Sequence, residues 1–191
     1  ECQKLLDDAA MAGQEDDFGY DIYQLQDKAL ANDYTVSIPT GIDMLDETLG
    51  GGLDKGKLGL LIAPAGFGKT SFTTAIDSYA ATYKCDMNNH MGYKVLQIYF
   101  EDDDVDITRK HYSRITQTEA RFMKRLDKPE RDEIAELLNN HPDKELLRQN
   151  LRLKHFKTGT KSASDIEIFV KRLINSGFKP DLISIDYFEC L

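Results

Sequence analysis

Apolar residues along this chain fall into short unbroken runs and into helical stripes, and the two alternate. Three runs read as buried strands: Leu58-Gly59-Leu60-Leu61-Ile62, Lys94-Val95-Leu96-Gln97-Ile98-Tyr99-Phe100 and Pro180-Asp181-Leu182-Ile183-Ser184-Ile185-Asp186-Tyr187. A fourth, Leu151 to Phe156, alternates apolar and polar positions as a strand with one covered face does. Between them the period changes to that of a helix. Helices are predicted from Lys69 to about Tyr83, from Val105 to about His141 with Pro129 opening a second helix, and from Ser164 to Asn175 with Ser162 or Ser164 as cap. In the last of these Ile166, Phe169, Val170, Leu173 and Ile174 are expected to face the core, and Gly177 ends it. A shorter helix begins near Thr40 or Gly41, turns Leu45 and Leu49 inward and stops at Gly50-Gly51-Gly52.

Residues 1–36 form an acidic helical arm ahead of this pattern. Leu5, Leu6, Ala9 and Ala10 share one face, Ile22, Leu25, Ala29 and Leu30 another, and Gly13 to Gly19 is a break. The arm either packs on its own domain or is a linker helix that docks on a neighbouring subunit. Strands alternating with helices over 37–191 predict an α/β fold, a mostly parallel sheet flanked by helices.

The first apolar run leads into Ala63-Pro64-Ala65-Gly66-Phe67-Gly68-Lys69-Thr70, then Ser71 and a helix. This is Walker A spacing with alanine in place of the first glycine. Gly66 and Gly68 let the backbone turn successive N–H groups towards one anion and leave no side chain in the way. Lys69 adds a point charge, and Thr70 opens the helix with its hydroxyl in reach of a magnesium ion. Ala65, Gly66, Phe67, Gly68, Lys69, Thr70 and Ser71 are therefore the expected phosphate holders, and ATP with Mg2+ the expected ligands. The last apolar run ends in Asp186, a carboxylate placed as a Walker B acid is, so Thr70 and Asp186 are the expected metal residues.

Composition narrows the picture. The 191 residues suit one domain plus an arm, and the net charge of −9 argues against strong nucleic-acid binding by this segment alone. A locally basic stretch remains at Arg109, Lys110, Arg114, Arg121, Lys124 and Arg125. Cys2, Cys85 and Cys190 are too few and too scattered for a disulfide framework, which points to a reducing cytoplasm, and Cys85 with His90, two ligand types without partners, reads as incidental rather than as a metal site. No long uncharged apolar run suggests a membrane span. The chain opens on Glu1 rather than Met, which reads as a piece of a longer protein.

The lead-in Thr40-Gly41 through Leu45-Asp46 to Leu49-Gly50-Gly51-Gly52-Leu53, the loop at 63–70, the strand Val95 to Phe100 followed by Glu101, and Ile183-Ser184-Ile185-Asp186-Tyr187 together resemble the RecA-like ATPase domain of DnaB-type hexameric replicative helicases, of a phage or prophage kind. The resemblance covers about Pro39 to Leu191. It implies a RecA-like P-loop NTPase core, an ATPase driving a helicase, a homohexamer and single-stranded DNA as partner. It places Glu101 like the family's catalytic glutamate, orienting water against the γ-phosphate with Lys69 and magnesium as electrostatic support, and Asp102 in reserve. Asp102, Asp103 and Asp104 are more acidic than the family's usual pattern at that point. The chain stops five residues after Asp186; the family's DNA-contacting loops, further strands and arginine finger are expected beyond it. RadA and KaiC relatives share the glycine-rich lead-in, so a recombinase or clock-type ATPase is a rival reading. A small-molecule P-loop kinase is another, disfavoured by the acidic strand end and the lack of an Arg-rich lid.

Overall fold

The computed structural model describes residues 21–30, 37–85 and 89–186. The chain divides into two compact units, 1–34 and 35–191. The expected face Leu5 to Ala10, the break at Gly13 to Gly19, and Tyr187 lie outside the described residues. In the first unit the Ile22 to Leu30 stripe forms only one short helix, α1 (Gln26–Ala29), and Ile22, Tyr23 and Leu30 are exposed. The helix starts late because the Asp21 carboxylate accepts the Tyr23 N–H at 2.8 Å, a local turn that competes with helical bonding.

The second unit runs α2 (Asp43–Leu49), α3 (Lys69–Thr82), β1 (Lys84–Cys85), β2 (His90–Met91), β3 (Val95–Tyr99), α4 (Asp104–Thr116), a 3-10 turn (Phe122–Lys124), α5 (Lys128–Asn139), α6 (Lys144–Asn150), β4 (Leu151–His155), α7 (Ala163–Asn175) and β5 (Leu182–Asp186). β3 is the centre of a parallel sheet of order β4-β3-β5, with Gln97 opposite Leu153 and Ser184, and Tyr99 opposite His155 and Asp186. β1 and β2 make a separate antiparallel pair.

All five residues of β3 are buried, as a central parallel strand covered on both faces requires. Its side chains alternate between two cores. Val95 packs with Ala80 and Ala81 of α3 and with Leu147 of α6, whereas Leu96 and Ile98 pack with Ile166, Phe169, Val170 and Leu173 of α7. Helices thus cover both faces, as the alternation of runs and stripes predicts. Capping set the boundaries: Asp103 accepts the Asp106 N–H to open α4, and Asp127 with Glu130 forms a capping box on α5, whose first turn holds Pro129. Ser162, with Asp165, does the same for α7.

Three expectations change. The run Leu58 to Ile62 is not a strand, and Leu58, Leu60 and Ile62 are 95%, 78% and 82% exposed. A strand exists only through hydrogen bonds to a neighbour, and among the described residues this run pairs with none of the sheet's strands. Ile174 is exposed because Ile166, Phe169, Val170 and Leu173 already fill the stripe towards β3 and it falls at the rim. Leu49 is also exposed. α2 is held instead by Asp46, whose carboxylate accepts from the Thr40 N–H (2.8 Å), the Thr40 hydroxyl (2.7 Å) and the Gly41 N–H (3.1 Å). Gly41 has φ +76°, and a Cβ there would stand 2.5 Å from the Tyr79 ring, so the lead-in motif works as a clasp between this loop and α3.

Candidate functional site

The loop between Ala63 and Thr70 is a turn whose Gly66 and Gly68 take φ of +82° and +83°, conformations that strain any residue with a Cβ. A Cβ on either would meet nothing within 4 Å, so the backbone there faces open space. Lys69 Nζ reaches back across the loop to the Ala63 carbonyl at 2.7 Å. Gly68 is the N-cap of α3 and no side chain caps that end, which leaves the first-turn N–H groups aimed out of the helix. Ala65, Gly66, Phe67, Gly68 and Ser71 are exposed, and Lys69 and Thr70 are half-buried.

The packing of α3 decides where that end points. Ala80 and Ala81, near its C-terminus, lie on Val95 at the amino end of the sheet, and Asp77 meets Ser184 in the middle. α3 therefore runs against the strands, with Lys69 and Thr70 directed to their carboxyl edge. Asp186 ends β5 there, half-buried, opposite Tyr99, and its carbonyl accepts the Phe100 N–H at 3.1 Å. Glu101 follows Phe100 at the same edge.

The four acids after β3 are not equivalent. Asp102 pairs with Lys110, Asp103 caps α4, and Asp104 accepts the Tyr99 hydroxyl at 2.6 Å. Glu101 is exposed in the bend before the helix and makes no hydrogen bond or ion pair among the described residues. The helix N-terminus beside Glu101 is capped by Asp103, not by Glu101.

Beneath the loop lies a buried polar layer that sequence reasoning missed. The Ser184 hydroxyl donates to Asp77 Oδ2 at 2.6 Å, and Asp77 is 1% exposed. Burial is the main cause that pushes the Asp77 carboxyl up to about 7; the Ser184 bond pulls the other way and the Asp186 charge adds to the rise. Beside it His111 lies between Ser78 (Nδ1, 2.8 Å) and Gln97 (Nε2 to Oε1, 2.8 Å), and burial lowers its pKa to about 4. The ring is neutral, with Nε2–H donating to Gln97 and Nδ1 accepting from Ser78. Thr74 Oγ1, Asp77 Oδ1 and Gln97 Nε2 are buried without a partner among the described residues, at about 1–3 kcal/mol each. The one signal in the sequence was the row Thr70, Thr74, Asp77, polar residues at helical spacing on a face that ends in Ala81.

The basic stretch is largely neutralised. Arg109 and Lys124 both pair with Asp106, Lys110 pairs with Asp102 and Arg121 with Glu119. Cys85 stands opposite His90 across the β1 and β2 pair, and among the described residues no group of three or more His, Cys, Asp or Glu forms a metal cage. Magnesium asks for less, a few hard oxygens besides phosphate and water. The Thr70 hydroxyl and the Asp186 carboxylate carry no hydrogen bond or ion pair among the described residues and fit that requirement.

A glycine loop opening a helix at the carboxyl edge of a parallel, helix-covered sheet places the chain among RecA-like α/β nucleotide-binding domains. A family model, the DnaB-like helicase C-terminal domain, matches residues 37–191, and the chain belongs to that family of helicase motor domains. A search among curated proteins gives no match. Nucleotide and magnesium use is general to such domains, and no helix among the described residues is long and apolar enough to cross a membrane.

Proposed function

We propose that this chain binds Mg-ATP at the 63–70 loop and hydrolyses it as the motor of a replicative DNA helicase, coupling turnover to movement on single-stranded DNA within a hexameric ring of like subunits. The supporting observation is that Glu101, the unpartnered acid of its cluster, stands at the strand edge towards which the N-terminus of α3 is directed. The backbone N–H groups from Ala65 to Ser71 cradle phosphate oxygens, and Lys69 supplies charge to the β- and γ-phosphates. Bound magnesium would supply positive charge against the charge that develops on the phosphates. Thr70 and Asp186 would hold it. Glu101 orients a water towards the γ-phosphate, and the hydrolysis asks of the protein mainly this positioning and charge stabilisation.

Lys69→Ala tests the reading at its base. Removing one charge-assisted contact should weaken Mg-ATP binding by roughly ten- to a hundredfold in calorimetry. An unchanged affinity would sink the assignment of this loop.

A further inference from the structure

The loop's helix and the strand that ends in Asp186 are tied by the hydrogen bond from Ser184 Oγ to Asp77 Oδ2, 2.6 Å long. Thr70, Thr74 and Asp77 stand at i, i+4 and i+7 on α3 and so form one row, whose Thr74 and Asp77 are buried against the sheet. Ser184 and Asp186 are two apart on β5 and share a face, the one that Ser184 turns to α3 through this bond. One row therefore begins at one expected metal residue, the other ends at the second, and the tie joins them.

The tie is not an economical way to hold the core. Asp77 Oδ1 and the neighbouring Thr74 Oγ1 are left without partners among the described residues. Apolar side chains of similar volume fill such a space at least as well, so a carboxylate there suits a task of position rather than of stability.

We propose that Asp77 is a positioning residue for the magnesium centre: by holding Ser184 it sets the register of α3 against β5, and with it the approach of Thr70 to Asp186. The inference rests on the nucleotide-site reading above. Asp77 itself touches neither nucleotide nor metal in this scheme, so removing the tie affects what magnesium adds to binding and spares the phosphate contacts made by the loop.

Calorimetric titration of ADP into the full chain, once with Mg2+ and once with EDTA, reads the two contributions apart. Wild type binds ADP in both conditions and more tightly with magnesium. Asp77→Ala and Ser184→Ala each lose about tenfold of that magnesium-dependent gain, the lower end of what supporting residues around a metal contribute, and keep their affinity in EDTA. Asp77→Asn, whose amide oxygen still accepts from Ser184, retains the gain. Circular dichroism confirms folding, and Ser184→Ala carries the test if Asp77→Ala does not fold. A magnesium gain in the folded alanine variants equal to wild type overturns the role of Asp77 and leaves the nucleotide site standing. Equal losses in magnesium and EDTA also overturn it, marking a purely structural tie. Failure of wild type to bind ADP in either condition overturns the site reading itself, and this inference with it.

Discussion

Four adjacent acids at the end of β3 have four different environments, and that difference assigns their work. Asp102, Asp103 and Asp104 are committed to Lys110, to the α4 N-terminus and to Tyr99. The Tyr99 hydroxyl, in turn, is held protonated by burial first and by its bond to Asp104 second. Glu101 is exposed and carries no hydrogen bond or ion pair among the described residues, as the proposed water-orienting role requires. Glu101→Gln is accordingly expected to keep nucleotide bound while lowering steady-state ATP hydrolysis by roughly a hundredfold or more, the scale of a lost positioned acid or base. Asp103→Asn should change turnover little, because asparagine caps a helix as well as aspartate does. Equal losses in the two variants, or full activity in the first, would move the water-orienting role elsewhere.

At the scale of elements, α4 buries Ile107 and His111, and His111 links it by hydrogen bonds to α3 and β3 at once. Burial takes the His111 pKa from 6.5 down to about 4, so between those values the unfolded chain binds a proton that the folded one refuses. Stability from this group is full above 6.5 and is lost as pH falls towards 4. Asp77 runs the opposite way: its pKa rises from 3.8 to about 7, the folded chain keeps a proton that the unfolded one releases, and its contribution falls as pH rises through that window. The two must be separated by substitution. His111→Gln removes only the first, so urea unfolding should show the wild type's advantage over the variant shrinking between about pH 7.5 and about pH 5. An advantage of equal size at both would mean that His111 does not titrate on unfolding in this range.

For the molecule as a whole, charge is the informative quantity. The chain carries −9, and the basic residues around α4 are mostly spent on Asp102, Asp106 and Glu119. Affinity for nucleic acid depends on cations free to displace counterions from phosphates. Fluorescence anisotropy of this chain with labelled single-stranded DNA at physiological salt is therefore expected to show a Kd no tighter than about 10⁻⁴ M, the weak end of non-specific binding. Micromolar binding would show that the chain's own surface holds a DNA track, with Arg114 and Arg125 as the first residues to replace.

Local chemistry made much of this protein legible in its sequence. Capping residues, Pro129 and the triple glycine set helix boundaries, β3 and β5 showed as apolar runs, and Gly66, Gly68, Lys69 and Thr70 marked the loop, because each of these depends on residues close in the chain. What needed the tertiary structure depends on partners far away. The apolar run Leu58 to Ile62 looks like a strand, but a strand is defined by its neighbour, and the described sheet supplies none. Asp46 as the clasp of Thr40 and Gly41, Asp102 as the mate of Lys110, and His111 bridging Ser78 and Gln97 were equally invisible, since a polar side chain does not announce its acceptor. The sequence presented Asp77 as one more polar helix residue; only the packing of α3 on β5 buried it and brought it to Ser184, 107 positions away.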